Sequence, residues 1–218
     1  GTQGHMNHKK IDRMLGLAMT IRGLPVPAIA MVNGWCMGGG HELALWCDLV
    51  IASENAVLGQ TGAKVGACPT VGATQYLPRI IGERLAREMI FCARRFTAKE
   101  AVEIGRINKC VPQKDLRKET LKWCETMKGH SALTLRMTKR SLNFESDNLY
   151  ASWQHGMELL AHVWGSEEAK EGMNAFLAGR QPNFQKFRLR AKGELDGYLR
   201  GLEKNLNEPP AMRSKAKN

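Results

Sequence analysis

The sequence predicts an α/β fold in which short strands and helices alternate in the first half of the chain. The apolar run Ala28–Val32 has the length and composition of a buried strand. The turn signal Asn33-Gly34 follows it, then three consecutive glycines at 38–40 and a helical pattern over His41–Trp46. Beyond Asp115 the apolar spacing is helical almost to the end. Strands in the first half and helices in the second therefore define the expected architecture.

The first predicted element is an amphipathic helix, because apolar residues recur at helical spacing between Lys9 and Arg22. Residues 1–6 have the character of a loop or of an expression remnant. After the glycine turn and its helix, strands are expected at Asp48–Ala52 and Val57–Gly59. A loop containing glycine and proline is expected from Gln60 to Val71.

The later elements follow from capping and breaking signals. Two helices are expected at about 72–81 and 83–93. Thr97 and Glu100 have the spacing of a capping box, which predicts a helix ending at Gly105. A short strand from Asn108 to Val111 stops at a proline. The helical second half is expected to break near four residues: Gly129, Ser146, Gly165 and Pro182.

The chain of 218 residues is long enough for one domain with a substantial core, and its formal net charge is +11. From Asn183 to Asn218 there are nine Lys or Arg against four Asp or Glu. Such a segment can bind nucleic acid, a membrane surface or a phosphate-rich ligand, or it can be a solvated tail. No RNA-binding motif or interleaved aromatic series is present, so we expect no nucleic-acid partner.

Other classes of protein are disfavoured by what the sequence lacks. It has no apolar stretch of membrane-spanning length and no secretory-signal pattern, so we expect no membrane association. The six cysteines are scattered and have no CxxC pair, which is typical of reduced thiols in a cytoplasmic protein. The six histidines show no HxxxH or HxH spacing, so no metal is expected.

The glycine triple is the first candidate functional feature. A strand, a glycine turn and a helix start leave free backbone N–H groups at the positive end of a helix. Such a place can hold a phosphate, a carboxylate or a developing oxyanion. The alternative is a tight turn that needs glycine for positive φ or for close packing. Glu42, in the first turn of the helix, is either a proton carrier or an acid that stabilises the helix start.

The residues from Pro25 to Gly66, including VNGWCMGGGHELALWCDLVIA, resemble the crotonase (enoyl-CoA hydratase/isomerase) superfamily. The similarity continues through Thr70–Arg79, Thr97–Gly105 and Glu171–Phe176. Three stretches resemble most closely the branch of 1,4-dihydroxy-2-naphthoyl-CoA synthase and its ring-opening hydrolase relatives: GQTGAKVG, which ends the first of these segments, REMIFCARRF and NFQKF. The resemblance implies a ClpP-like spiral of ββα turns with a helical C-terminal region that trimerises.

Members of this superfamily bind an acyl-CoA thioester and stabilise an enolate with two backbone N–H groups. The resemblance assigns one donor to Gly39, with Gly38 contacting the substrate beside it. The other donor lies in a region that precedes Lys9 in the family and that this chain lacks. We therefore expect an N-terminally truncated fold, which would make the chain a fragment, the product of a reinterpreted start, or one half of a split protein.

Hydratases of this superfamily use two glutamates that flank a water molecule. The first matches Glu42, and the second falls at Gly62, which cannot move a proton. In the naphthoyl-CoA synthase branch, the same Gln-Thr-Gly loop can hold a bicarbonate in place of the carboxylate, which here would involve Gln60 and the N–H of Gly62. That branch continues with a serine and an aspartate, where this chain has residues 67–69, Ala-Cys-Pro. This departure argues against naphthoyl-CoA synthase activity itself.

The resemblance also suggests residues that bind the rest of the substrate. Cys68 lies in the segment 67–76 that lines the acyl pocket of the family. Phe176 matches a position near the adenine of a coenzyme A bound to a neighbouring subunit, and Arg180 follows it on the same segment. Coenzyme A is expected only as part of the substrate, and no tightly bound cofactor is expected apart from the bicarbonate.

The expected organisation is a partial spiral core at 7–112, a helical region at 113–188 and a basic tail at 189–218. A helix expected at 147–164 has an apolar stripe that allows two interpretations. It can form a subunit interface, in a homotrimer or in a hexamer built as a dimer of trimers, or it can pack within the chain. Three functions remain open: an acyl-CoA lyase of the hydratase, ring-opening hydrolase or C–C-bond type, a non-catalytic acyl-CoA-binding subunit, and RNA binding through the basic tail, which no RNA motif supports.

Overall fold

The computed structural model describes residues 2–185, 187, 188, 193, 196, 197 and 200, and for residues 2–12 it describes the backbone alone. Most of the predicted basic tail at 189–218 lies outside the described residues. Six short strands alternate with helices in the first half: β1 Ile29–Val32, β2 Trp35–Met37, β3 Leu49–Ser53, β4 Val57–Gly59, β5 Arg95–Thr97 and β6 Lys109–Val111. The expected alternation is confirmed.

The helices of the first half are α1 Thr2–Gly23, α2 Gly39–Trp46, α3 Gly62–Val65, α4 Ala73–Ile81, α5 Glu83–Phe91 and α6 Ala98–Glu103. After a 3₁₀ turn at Gln113–Asp115, the second half contains α7 Leu116–Lys128, α8 Ala132–Asp147, α9 Tyr150–Val163 and α10 Glu167–Leu177. Helix α6 begins at the predicted capping box: the Thr97 hydroxyl accepts from the Glu100 N–H, while the Glu100 carboxylate accepts from Thr97.

The strands form two small sheets. The first has the order β1-β3-β6 and is entirely parallel; in the second, of order β2-β4-β5, β4 pairs parallel with β2 and antiparallel with β5. Within the first four strands, each strand and the next lie in different sheets: the Asn33-Gly34 turn separates β1 from β2, and a second turn separates β3 from β4. With α2 and α3 following these pairs, the chain makes two ββα turns, which confirms the expected spiral.

Three features differ from the sequence-based prediction. Helix α1 begins at Thr2, so residues 2–6 are helical instead of forming a loop. Strands β2 and β5 were not predicted, since each has three residues and is stabilised by its pairing with β4. The predicted loop from Gln60 to Val71 contains the single-turn helix α3.

The largest part of the core joins the spiral to the helical region. Trp153 of α9 is buried against Trp46 of α2, with ring centroids 6.2 Å apart, and meets Tyr76 of α4 edge-on at 5.4 Å. Met157 and Leu160 of α9 are buried in the same cluster, which also includes residues of α1. Of the two interpretations of the apolar stripe at 147–164, the structure supports packing within the chain for these three residues.

Polar contacts hold α8 against the same body. Lys139 is 4% exposed, and its ammonium group lies 2.7 Å from a carboxylate oxygen of Asp48. It also donates to the carbonyl oxygens of Ile21 and Val26 at 3.1 and 3.0 Å. A buried ammonium group needs such a full set of acceptors, so this contact ties α8 both to the end of α1 and to the start of β3.

Candidate functional site

The start of α2 opens onto a cavity of about 230 Å³ that lies between this helix, the 60–71 segment and α9. Six of the eight residues predicted to act on the substrate line it: Gly38, Gly39, Glu42, Gln60, Gly62 and Cys68. Met14 of α1 and Trp164, just after α9, also line the cavity. Residues from four separate stretches of sequence therefore meet in one place, and we refer to this space as the inner cavity.

The backbone at the glycine triple turns sharply from β2 into α2. Gly38 has φ of 52° and ψ of −121°, a conformation that L side chains rarely adopt. Its N–H donates to the Gly59 carbonyl at 3.0 Å, and its carbonyl accepts the first helical bond, from the Glu42 N–H at 2.9 Å. The N–H of Gly39 has no acceptor among the described residues. It is therefore a free donor at the positive end of α2, beside the inner cavity.

Glu42 is almost completely buried, with 4% of its surface exposed. Its Oε1 atom accepts hydrogen bonds from the N–H groups of Val71 at 2.8 Å and Ala73 at 3.3 Å. Burial raises the pKa of the Glu42 carboxyl to about 7, although these two hydrogen bonds oppose the shift. The carboxyl group thus contacts the start of α4, instead of the N–H groups of its own helix. A carboxyl group that titrates near neutral pH can both accept and release a proton.

Gly62 contributes only backbone to the inner cavity. A Cβ atom built at this position would collide with the carbonyl oxygen of Ala67 and would lie 3.4 Å from Cδ of Pro69. No larger side chain fits here without a movement of the 60–71 segment. Glu42 is the only carboxylate among the described residues that line the inner cavity.

Cys68 lines the inner cavity as a partly buried thiol. Burial raises the pKa of its thiol, so it stays neutral at physiological pH. It therefore contributes an uncharged, polarisable surface to the wall that follows α3.

A second, larger cavity of about 650 Å³ adjoins the first and shares Thr61 and Val65 with it. Phe176, which is 72% exposed, and Arg180 line this outer cavity. Both Nη atoms of Arg180 contact the carboxylate of Glu171, at 2.7 and 3.1 Å. Phe176 and Arg180, which the resemblance implies bind the substrate, thus line a cavity that adjoins the inner cavity of their own chain.

Three further residues of the outer cavity were not predicted: Lys64, Arg95 and Trp35. The guanidinium carbon of Arg95 lies 5.1 Å from the ring centroid of Trp35. Strands β2 and β5 flank β4, so residues about 60 positions apart in the chain meet across it. No spacing in the sequence signals this contact, because it depends on strand pairing.

Another group missed by the sequence analysis lies behind the inner cavity. His41 is completely buried, and its Nε2 accepts a hydrogen bond from the Nε–H of Arg106 at 3.0 Å. The Nδ1 atom of His41 lies 3.0 Å from Nε2 of Gln60. Arg106 is itself 4% exposed, and burial lowers the pKa of its guanidinium to about 10.

The described residues have neither a membrane-spanning helix nor a metal-binding cluster. They contain no helix long and apolar enough to cross a membrane. They also contain no group of three or more His, Cys, Asp or Glu side chains that could hold a metal ion. All six cysteines are free thiols.

Comparison with known proteins gives a consistent result. The sequence model of the family described as "Enoyl-CoA hydratase/isomerase" matches residues 3–187. An enoyl-CoA hydratase from Mycobacterium avium subsp. paratuberculosis K-10 is 29% identical, with 82% of this chain and 73% of that chain covered and a TM-score of 0.78. A carnitinyl-CoA hydratase from Mycobacterium avium is 32% identical, with coverages of 73% and 63% and a TM-score of 0.70.

A methylmalonyl-CoA decarboxylase, solved in complex with 2-nitronate-propionyl-CoA, is also similar. It is 29% identical, with 78% of this chain and 66% of that chain covered and a TM-score of 0.68. The chain therefore spans about two thirds of the length of the second and third of these relatives.

Proposed function

This chain belongs to the enoyl-CoA hydratase/isomerase family, and on that premise we propose that it processes an acyl-CoA thioester through an enolate, as an enoyl-CoA hydratase-type lyase. The observation that carries the proposal is the pairing of two groups in the inner cavity. One is the free N–H of Gly39 at the start of α2, and the other is the buried carboxyl group of Glu42 with a pKa of about 7.

The proposed chemistry needs one donor and one proton carrier. The Gly39 N–H donates to the thioester oxygen as negative charge develops there in the enolate. The ionised Glu42 carboxylate takes a proton from water, whose oxygen attacks the β-carbon of the enoyl group. The protonated carboxyl then returns that proton to the α-carbon as the enolate collapses. Because Oε1 already accepts two backbone hydrogen bonds, the other oxygen, Oε2, is assigned this transfer.

The outer cavity is proposed to take the coenzyme A part of the substrate. The exposed ring of Phe176 offers a stacking surface for the adenine, while Lys64 and Arg95 carry positive charge that suits its phosphates. Arg180, whose charge is already paired with Glu171, lines the same cavity. The shared walls at Thr61 and Val65 would let the pantetheine arm pass from one cavity to the other. The volume of about 650 Å³ is within the range of small-molecule sites.

We also propose that the wall formed by Gln60 and Gly62 can hold a bicarbonate ion that supplies the missing second carboxylate. Gly62 has no room for a side chain, so only its backbone N–H and the Gln60 amide could bind such an ion.

The six free thiols further support a location in the reducing cytoplasm.

Carbon–carbon bond chemistry, including ring opening by a hydrolase, is a second candidate, favoured because Glu42 is the single carboxylate among the described residues that line the inner cavity. A decarboxylation forms its enolate by releasing carbon dioxide, so it needs an oxyanion donor but only one later proton transfer. The similarity to a methylmalonyl-CoA decarboxylase supports this alternative. A naphthoyl-CoA synthase-like reaction belongs to the same class. A third candidate is a non-catalytic acyl-CoA-binding subunit.

Steady-state hydration of crotonyl-CoA by the unmodified chain and by Glu42→Gln would test the main proposal. Glutamine keeps an oxygen for the Val71 and Ala73 N–H groups but cannot transfer a proton. We expect a loss of about 10²- to 10⁴-fold in kcat with little change in affinity for the thioester. The exposed Glu103→Gln is the matched control. Added bicarbonate, at fixed pH and ionic strength, should raise the rate of the unmodified chain.

Each candidate gives a different outcome in this experiment. Full activity of Glu42→Gln would refute the proposed role of the carboxyl group. Binding of crotonyl-CoA without turnover, together with release of carbon dioxide from methylmalonyl-CoA, would favour C–C chemistry. Binding of both thioesters without turnover of either would favour the non-catalytic subunit.

A further inference from the structure

A third space, of about 220 Å³, adjoins the inner cavity between α3, the end of α9 and the start of α10, and we refer to it as the rear pocket. Its lining is apolar except for Lys170, whose ammonium group lies 2.7 Å from the carboxylate of Glu167. Four residues line both the rear pocket and the inner cavity: Val65, Ala67, Leu160 and Trp164. These residues therefore form the wall between the two spaces.

This wall lies in the path of the acyl group. The outer cavity, proposed to take the coenzyme A part, meets the inner cavity at Thr61 and Val65. A thioester that enters there and reaches the Gly39 N–H directs its acyl group away from the outer cavity. Leu160 and Trp164 lie on the side of the inner cavity that faces the rear pocket. They are four positions apart at the end of α9, and so are neighbours on one face of it.

Backbone contacts hold both halves of the wall in place. The Trp164 N–H donates to the Leu160 carbonyl at 2.8 Å, and the Ser166 N–H donates to the Val163 carbonyl at 3.0 Å. The turn that carries the Trp164 side chain is therefore fixed on both sides.

The other half of the wall follows α3. The Ala67 N–H donates to the Gly62 carbonyl at 2.9 Å, and the backbone of Val65 packs directly against Gly172 of α10. Movement of this half would disturb the contact between α3 and α10. The wall is therefore a fixed part of the fold.

We propose that Trp164 is a specificity residue that closes the acyl end of the site, so that the chain selects short acyl groups, such as butyryl, over medium-chain ones. The inference rests on the proposed function, which supplies the thioester. The inner cavity must hold both the thioester and the acyl group, and its volume of about 230 Å³ leaves little room for a longer chain.

Trp164 is the wall residue whose side chain can be removed with the least effect on the fold. Leu160 is 4% exposed and belongs to the buried core, whereas Trp164 is 42% exposed. The side chains of Val65 and Ala67 are small. Loss of the indole ring would therefore join the rear pocket to the inner cavity while the backbone of the wall stays in place.

The dissociation constants of butyryl-CoA and octanoyl-CoA would test the proposal. Octanoyl-CoA is measured by its displacement of bound butyryl-CoA, so that only binding at the shared site counts. In the unmodified chain, we expect butyryl-CoA to bind more tightly. Trp164→Ala should tighten octanoyl-CoA by about tenfold or more, since each buried methylene favours binding by about fourfold. Butyryl-CoA, which does not reach the rear pocket, should change much less than octanoyl-CoA.

Two further variants separate the wall from the space behind it. Trp164→Phe keeps an aromatic ring in the wall and should keep the preference for butyryl-CoA. Met173→Ala enlarges the rear pocket but leaves the wall intact, because Met173 lines the rear pocket on the side of α10. It should change neither affinity. A gain for octanoyl-CoA in Met173→Ala as large as in Trp164→Ala would overturn the proposal.

The unmodified chain gives a test that does not depend on any variant. If it binds octanoyl-CoA as tightly as butyryl-CoA, the wall does not limit the acyl chain and the proposal is overturned, even if Trp164→Ala fails to fold. An unchanged affinity of folded Trp164→Ala for octanoyl-CoA would overturn it as well. Failure of the unmodified chain to bind either thioester would instead refute the proposed function.

Discussion

At the scale of single residues, Glu42 shows how one carboxyl group serves the fold and the site together. Its Oε1 atom accepts from the N–H groups of Val71 and Ala73, which are otherwise orphan donors around the start of α4. The same burial that places it there favours its neutral form over its charged form. The group therefore titrates where a proton carrier must, at a cost in stability when it is ionised.

That cost gives a prediction about pH. The pKa of Glu42 rises from 4.5 to about 7 on folding, so the folded chain holds the proton more tightly than the unfolded chain. The contribution of Glu42 to stability therefore falls as pH rises through this interval. Glu42→Gln removes this dependence. The free energy of unfolding of the variant minus that of the unmodified chain should therefore be about 2–3 kcal/mol higher at pH 8 than at pH 5.

Urea unfolding of both proteins at the two pH values would measure this difference. His41 has a lowered pKa and contributes a pH dependence of the opposite sign, but it is present in both proteins and cancels. The exposed Glu103→Gln, which leaves Glu42 in place, is the control and should follow the pH profile of the unmodified chain. Parallel pH profiles for Glu42→Gln and the unmodified chain would contradict the raised pKa.

At the scale of elements, the wall between the two cavities depends on a close contact between α3 and α10. Gly172 of α10 packs directly on the backbone of Val65, so that a Cβ atom would lie 2.5 Å from the Val65 carbonyl oxygen. Gly66, in the left-handed conformation with φ of 66°, meets the backbone of Ala169 in return. Since Val65 lines both cavities, the position of α10 sets the shape of the site.

Gly172→Ala is therefore expected to destabilise the fold and weaken thioester binding together. Alanine normally stabilises a helix interior, but here the methyl group has no space and α10 must move, at a cost of about 1–3 kcal/mol. Thermal unfolding and the affinity for butyryl-CoA would measure the two effects. Gly16→Ala in α1, where nothing lies within 4 Å, is the matched control and should stabilise the fold by about 0.5–1 kcal/mol. A stabilising effect of Gly172→Ala would contradict the packing argument.

At the scale of the whole molecule, the apolar stripe of α9 is used inside the chain, while α8 exposes one of its own. Leu133, Met137 and Phe144 are 61%, 41% and 73% exposed, and helical spacing places them on one face of α8. The opposite side of this helix holds the buried Lys139. We propose that the exposed stripe lies in the contact between subunits of a homotrimer, or of a hexamer formed by two trimers.

Sedimentation velocity across a range of concentrations would test this association. We expect the unmodified chain to sediment as a trimer or hexamer, and Phe144→Glu to shift it toward the monomer, because a charge at an apolar contact is costly to bury. Leu121→Glu on α7, which also replaces an exposed leucine, should leave the association unchanged. A monomeric unmodified chain would refute the proposed assembly.

Much of the fold was predictable because its signals are local. The strand β1, the turn into α2, the capping box of α6 and the breaks between α7, α8, α9 and α10 each follow from neighbouring residues. The strands β2 and β5 were not predictable, because three residues carry too weak a pattern and their stability comes from β4 between them. The helical start at Thr2 also runs against a sequence with no helix-start signal.

The α/β fold class, the position of Glu42 in the first turn of α2 and the absence of a carboxylate at residue 62 follow from residue type and short spacing, whereas the donor at Gly39 was implied by the family resemblance. Tertiary packing brings Glu42 against Val71 and Ala73, and Arg106 against His41, 65 positions earlier. It also placed Gly172 on Val65. Burial and long-range pairing set the pKa of Glu42 and the shape of the inner cavity, and neither is encoded by the spacing of residues along the chain.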